Sequence, residues 1–151
     1  MSKVPRIMYV AGSGDVVKTF RCWVTGNKDP SELAETYSGA FFQLVSERGW
    51  RARVVSLHGR SDIVTRNLIT VQNRPVLFTK LKGACYYLVH LLHESRLALD
   101  AVLWRADVLV LTMPLHWWLF ACLRLAGVKV VPSVHCTWWT GERSCRVGYV
   151  K

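Results

Sequence analysis

Short, nearly uninterrupted apolar runs recur along the chain, and they constrain its fold more than any other feature. Ile7-Met8-Tyr9-Val10-Ala11, Asp107-Val108-Leu109-Val110-Leu111 and Val128 to Val134 show no polar alternation. A strand with one solvated face alternates, whereas one buried on both faces does not. These runs are therefore read as strands of a parallel sheet covered on both sides. Ala52 to Leu57 is a further strand, and Leu68 to Val71 is a short one closed by Asn73-Arg74-Pro75. Val128 to Val134 carries Pro132, which lacks an N–H, so one side of that strand is not fully paired.

Helical segments lie between the strands. From Ser38 to Arg48, Phe41, Leu44 and Val45 follow helical spacing and Gly49 ends the segment. Leu77 to Trp104 reads as a long helix with Leu77, Leu81, Cys85, Leu88, Leu92, Leu99 and Val102 along one inward face and Gly83 as a bend or division. Leu115 to Ala126 is a helix stopped by Gly127. Residues 12 to 30 read as a polar, glycine-punctuated loop, with a short turn opening at Asp29-Pro30. His58 to Asp62 and 135 to 151 also read as loops. No hairpin signal is evident. Strands alternating with helices give an α/β fold: a single-domain, Rossmann-like, doubly wound parallel sheet with helices on both faces.

The chain has 151 residues, 51% hydrophobic and 20% charged, which suits one domain with one substantial core. Net charge is +10, with 20 Lys+Arg against 10 Asp+Glu. Nucleic acid, an anionic membrane surface or a phosphate-bearing ligand would complement it, as would water alone. Five cysteines follow no disulfide pattern, and Cys85 and Cys122 read as small core residues. A cytoplasmic setting is the expectation, with neither a signal peptide nor a spanning segment read from the sequence.

Few motifs carry chemistry. Gly12-Ser13-Gly14 leaves the first strand, but Val17 stands where a dinucleotide fingerprint needs its third glycine, and no helix is read directly behind it. There is no Gly-Lys-Ser/Thr phosphate loop. Tyr37-Ser38-Gly39 heads the first helix, where unpaired N–H groups and a small residue admit a ligand closely. His135-Cys136-Thr137 lies just past a buried strand, on the edge where open α/β sheets bind ligands. His90 and His93 are three residues apart on the long helix and read as a partly solvated face. His116-Trp117-Trp118 opens a helix, and its tryptophans suit a core, an interdomain contact or a membrane interface. No metal site, cofactor or acid–base pair is read.

The order of these elements resembles the N-terminal domain of two-domain, GT-B architecture glycosyltransferases of the family 4-like group. The residues carrying the resemblance are Ile7 to Ala11, Glu35 to Trp50 (Glu-Thr-Tyr-Ser-Gly-Ala-Phe-Phe-Gln-Leu-Val-Ser-Glu-Arg-Gly-Trp), Ala52 to Leu57, Asp107 to Leu111 and Pro132-Ser133-Val134-His135. The resemblance implies a sugar moved from a nucleotide-sugar donor to an acceptor hydroxyl. It makes Gly12, Tyr37, Ser38 and Gly39 substrate-binding residues at an interdomain cleft, and His135 the catalytic contact to the donor sugar. The family's C-terminal domain, which holds the nucleotide, has no counterpart in these 151 residues, so the resemblance implies a truncated half that is inactive alone. A peripheral position on the inner face of an anionic membrane is compatible with it, and no nucleic-acid partner is expected. The alternative is a non-catalytic basic module that binds nucleic acid or an anionic membrane.

Overall fold

The computed structural model describes residues 3–27, 37–75, 82–112 and 114–133. Its elements are β1 (Arg6–Ser13), α1 (Val16–Thr25), α2 (Tyr37–Arg48), β2 (Arg51–His58), β3 (Asp62–Arg66), β4 (Ile69–Pro75), α3 (Ala84–Leu103), β5 (Val108–Thr112), α4 (Trp117–Ala121) and β6 (Lys129–Ser133). A 3-10 turn, Cys122–Ala126, continues α4.

The six strands form one sheet in the order β3-β4-β2-β1-β5-β6. All neighbours are parallel except β3 and β4. Side chains alternate between the faces as the pleat demands. Met8, Val10, Val55, Leu109 and Leu111 pack under α3, α4 and the 3-10 turn. Tyr9, Ala52, Val54, Ile69 and Val71 pack under α1 and α2. The Rossmann-like, doubly wound α/β sheet expected from the sequence is thus present. Pro132 sits on the outermost strand, β6, paired only with β5, so its missing N–H disrupts no second ladder. Among the described residues no helix is long and apolar enough to cross a membrane.

Several readings need correction. The polar stretch after β1 contains α1, a ten-residue helix burying Val16, Val17 and Phe20. Its start is explicit in the sequence: Asp15 caps it, accepting from the Lys18 N–H at 2.9 Å. A hairpin also exists. β3 pairs antiparallel with β4 through a two-residue connection in which Asn67 takes φ 54°. Asparagine tolerates that left-handed conformation, so the turn lacks the Asn-Gly pair that usually announces it. Gly83, at φ 61°, caps α3 rather than bending it.

The largest correction concerns the face of α3. Its buried residues are Glu94, Leu97, Ala98 and Ala101. Leu88, Leu92, Leu99 and Val102, expected inside, are exposed, with Leu92 at 64%. Cys85 and Cys122 are exposed as well. At 100° per residue, Leu88, Leu92 and Leu99 lie opposite Leu97 and Ala101. The alanines let the helix approach the sheet over Met8 and Leu109, and the bulkier stripe is left outside.

This assignment makes a direct prediction. Leu109→Ala should cost about 2–5 kcal/mol by urea denaturation, because it opens a cavity at a fully buried position. Leu92→Ala should stay within about 1 kcal/mol. A cost for Leu92→Ala equal to that of Leu109→Ala would mean that α3 presents its other face to the sheet.

Candidate functional site

β1 is bonded to β2 on one side and β5 on the other, so it marks the point where the strand order reverses. The chain leaves β1 for α1 on one face and leaves β5 for α4 on the opposite face. The two connections diverge and leave a crevice beyond the carboxyl ends of β1 and β5, the usual ligand position in an open α/β sheet.

Gly12 stands on one lip. The β1–β2 register shifts between Val10 and Ser13, so Ala11 and Gly12 form a bulge. Gly12 takes φ 76°, and a Cβ there would lie 3.7 Å from Thr112 Oγ1. The Thr112 hydroxyl donates to the Val10 carbonyl and ties β5 to the bulge. Tyr37, Ser38 and Gly39 are the first three residues of α2. That helix leads into the amino end of β2, so its start lies at the carboxyl edge. Phe41, one turn on, packs with a centroid distance of 4.9 Å on Tyr9 of β1. Gly12 and the head of α2 therefore share one edge of the sheet. His135 lies outside the described residues, as do Cys136 and Cys145. Ser133, two residues before His135 and the last residue of β6, pairs with Thr112 at the same edge.

The β1–α1 loop is held by a buried polar network. Asn73 of β4 is 1% exposed and Ser56 of β2 is 2% exposed. The Asn73 amide donates to Asp15 Oδ1 at 2.6 Å, and its carbonyl accepts from the Val17 N–H at 3.3 Å. The Ser56 hydroxyl is 2.8 Å from both the Gly14 carbonyl and Asn73 Oδ1, and its single proton serves one at a time. The Gly14 N–H donates to the Leu57 carbonyl at 2.9 Å.

This network decides what the loop can bind. A helix start receives a phosphate through unpaired N–H groups and its partial positive charge. Here the Val17 and Lys18 N–H groups are already engaged, and Asp15 adds a negative charge at the cap. Burial works against that charge. The Lys18 N–H, the Asn73 amide, His58 and Arg21 outweigh it and hold the Asp15 carboxyl below its ordinary value of 3.8. The missing third glycine agrees, since Val17 is fully buried in its place. α2 has no acidic residue in its first turn.

The opposite lip holds a pair absent from the sequence reading. Glu94 of α3 is 5% exposed. Its Oε1 accepts from the Leu115 N–H at 2.7 Å, and its Oε2 accepts from the His116 N–H at 2.9 Å. Oε2 also lies 2.8 Å from His116 Nδ1. One carboxylate thus fixes both the β5–α4 backbone and the imidazole. No local pattern around Glu94, which stands between His93 and Ser95-Arg96 on α3, signals this. Trp117 and Trp118 beside it are 46% and 60% exposed, so they are not core.

Elsewhere, burial and the charges of Arg74 and His90 push the His93 imidazole below 6.5, while Glu94 opposes them. No group of three or more His, Cys, Asp or Glu that could hold a metal occurs among the described residues. A cavity of about 380 Å³, lined by Trp23, Trp50 and Arg66 among others, lies toward the amino ends of β2 and β4, away from the crevice. Comparison with family models, curated proteins and solved structures finds no match for this chain.

The Asp15 lock has a signed pH dependence. A carboxyl depressed on folding adds stability above its unfolded value and loses it as pH falls through the folded value. Acid titration of stability should therefore show a loss beginning near pH 3.8, the ordinary value, and continuing below it. Asp15→Asn should flatten that acid limb, and Asp15→Ala should cost about 0.5–2 kcal/mol at neutral pH through the lost cap. An unchanged acid limb in Asp15→Asn would remove Asp15 from this role.

Proposed function

We propose that this domain is the acceptor-side half of an enzyme that moves a sugar from a nucleotide-sugar donor to an acceptor hydroxyl. The observation that carries the reading is that the Gly12 bulge, at the switch point, and the Tyr37-Ser38-Gly39 helix start lie toward the same edge of the sheet. The closed start of α1 supports a division of labour. The Val17 and Lys18 N–H groups are spent on Asn73 and Asp15, and the Asp15 carboxylate opposes an anion, so the start of α1 is a poor cradle for a nucleotide diphosphate. On this reading a second domain holds the nucleotide and this one positions the acceptor. Transfer then depends on orientation and on charge stabilisation of the leaving diphosphate. Ser38 and Gly39 line the acceptor side, and His135 contacts the donor sugar.

A basic binding module remains the second reading, favoured by the net charge of +10. Lys3, Arg21, Arg48, Arg51, Arg60 and Arg66 are all exposed. A peripheral seat on an anionic membrane is compatible with either reading.

NMR titration with methyl α-glucoside separates the two. Shifts should concentrate at Gly12 to Gly14, Ser38, Gly39 and Thr112, with affinity weakened more than about tenfold, roughly 1.4 kcal/mol, in Gly12→Val. UDP-glucose should bind no more tightly than the glucoside. Absence of those shifts, together with heparin binding that falls steeply with salt, would replace the transferase reading with the polyanion one.

A further inference from the structure

We propose that His116, aligned by Glu94, is a hydroxyl-accepting site at the β5 lip of the crevice, taking a hydrogen bond from an O–H group of a polyol ligand through Nε2. The inference rests on a contact geometry that does not require sugar transfer, and it assigns a role to a pair that no motif in the sequence suggests.

The first step concerns the tautomer. Glu94 meets three nitrogens, and two of them are backbone N–H groups that can only donate. A carboxylate that already accepts from Leu115 and His116 is best completed by a third donor, the Nδ1–H of His116 at 2.8 Å. The proton on Nδ1 leaves a lone pair on Nε2 in the neutral ring. An imidazole alone in water prefers the opposite arrangement, so the carboxylate selects the form that accepts.

The second step concerns place. The Glu94 carboxylate and the His116 imidazole are 6% and 16% exposed, so the pair is largely withdrawn from water but reached by it. No described residue bonds Nε2, and it is not among the described atoms that are both buried and unpartnered. The Trp118 ring lies edge-on to the imidazole at 6.4 Å and provides an apolar wall, as aromatic residues do beside bound sugars and other polyols. Four residues before His116, Thr112 touches the Gly12 bulge.

The third step concerns ligand class. Nε2 is an acceptor, so its complement is a donor. A phosphate anion offers mainly acceptors and brings negative charge, and it meets here an accepting nitrogen with a carboxylate behind the ring. A ligand hydroxyl is complementary. It donates a hydrogen bond to Nε2, while Glu94 holds the ring through Nδ1. Glu94 acts through His116 and is therefore a positioning residue.

The test reads the tautomer and the ligand separately, on the whole chain at one pH. Long-range ¹H–¹⁵N spectra should show His116 with Nδ1 protonated and Nε2 bare, and Glu94→Gln should convert it to the ordinary Nε2–H form. Diethyl pyrocarbonate should carbethoxylate His116 several-fold faster than His90, and glucose should protect His116 while inorganic phosphate should not. His116→Gln, which keeps a polar atom near the Nε2 position, should retain the circular dichroism spectrum and part of the glucose affinity. An Nε2–H tautomer in the wild type, protection by phosphate alone, or no protection by glucose would each overturn the assignment. Because the tautomer is read without ligand, its failure is distinct from a failure of the Gly12 titration.

Discussion

β1 is hydrogen-bonded on both flanks, and the rest of the molecule depends on how the chain leaves it. A strand between two parallel neighbours cannot connect to both on one face without crossing connections. The chain therefore winds through α1 and α2 on one side and through α3 and α4 on the other. The divergence opens the crevice, and each lip must then be held by something other than strand pairing. Asp15 and Asn73 hold the α1 lip, and Glu94 holds the α4 lip. Both devices use an acidic side chain to satisfy backbone N–H groups at the start of a helical segment. Such groups would be costly if buried without a partner. The difference is what remains. On the α1 side the network is closed upon itself, whereas on the α4 side one ring nitrogen has no partner among the described residues.

Much of this architecture was legible in the sequence because it depends on local composition. Continuous apolar runs gave β1, β5 and β6, and the glycines at 49 and 127 gave helix ends, where both take the left-handed conformation. One local signal is masked by its surroundings. Val16, Val17, Phe20, Trp23 and Val24 have helical spacing behind Asp15, but the neighbouring glycines and charges drew attention to a loop. The face of α3 is a different kind of error. Hydrophobicity favours the leucine stripe as the inner face, yet close approach to the sheet favours Ala98 and Ala101. Tertiary packing decided between them, as it routinely does. The exposed stripe through Leu88, Leu92 and Leu99 is the residue of that choice.

The site divides along the same line. Gly12 and the Tyr37-Ser38-Gly39 head of α2 could be placed at one edge because strand order alone puts them there. Asn73 and Glu94 could not. Asn73 reads as a turn residue closing a strand, and its role exists only because β4 lies two strands from β1 with its end beside the α1 start. Glu94 carries no signal of its own in the sequence, where the break in the apolar face falls at Ser95 or Arg96, and its partners are 21 and 22 residues away. Pairings of this range have no sequence period, so no pattern reading recovers them.

The two lips also differ in the chemistry they present, and that difference bears on what enters the crevice. The α1 lip meets a ligand with a capped helix start and a carboxyl whose neighbours favour its charged form. The α4 lip meets it with the His116 ring, whose Nδ1 is engaged by Glu94 and whose Nε2 has no partner among the described residues. Neither is a good partner for an anion, although the chain as a whole is strongly basic. Net charge acts over the Debye length and steers encounter, while the groups at contact distance decide what stays bound. A surface that attracts anions around a crevice that accepts hydrogen bonds suits a ligand with both features: a hydroxyl-rich part seated at the sheet edge and any negative part held outside it.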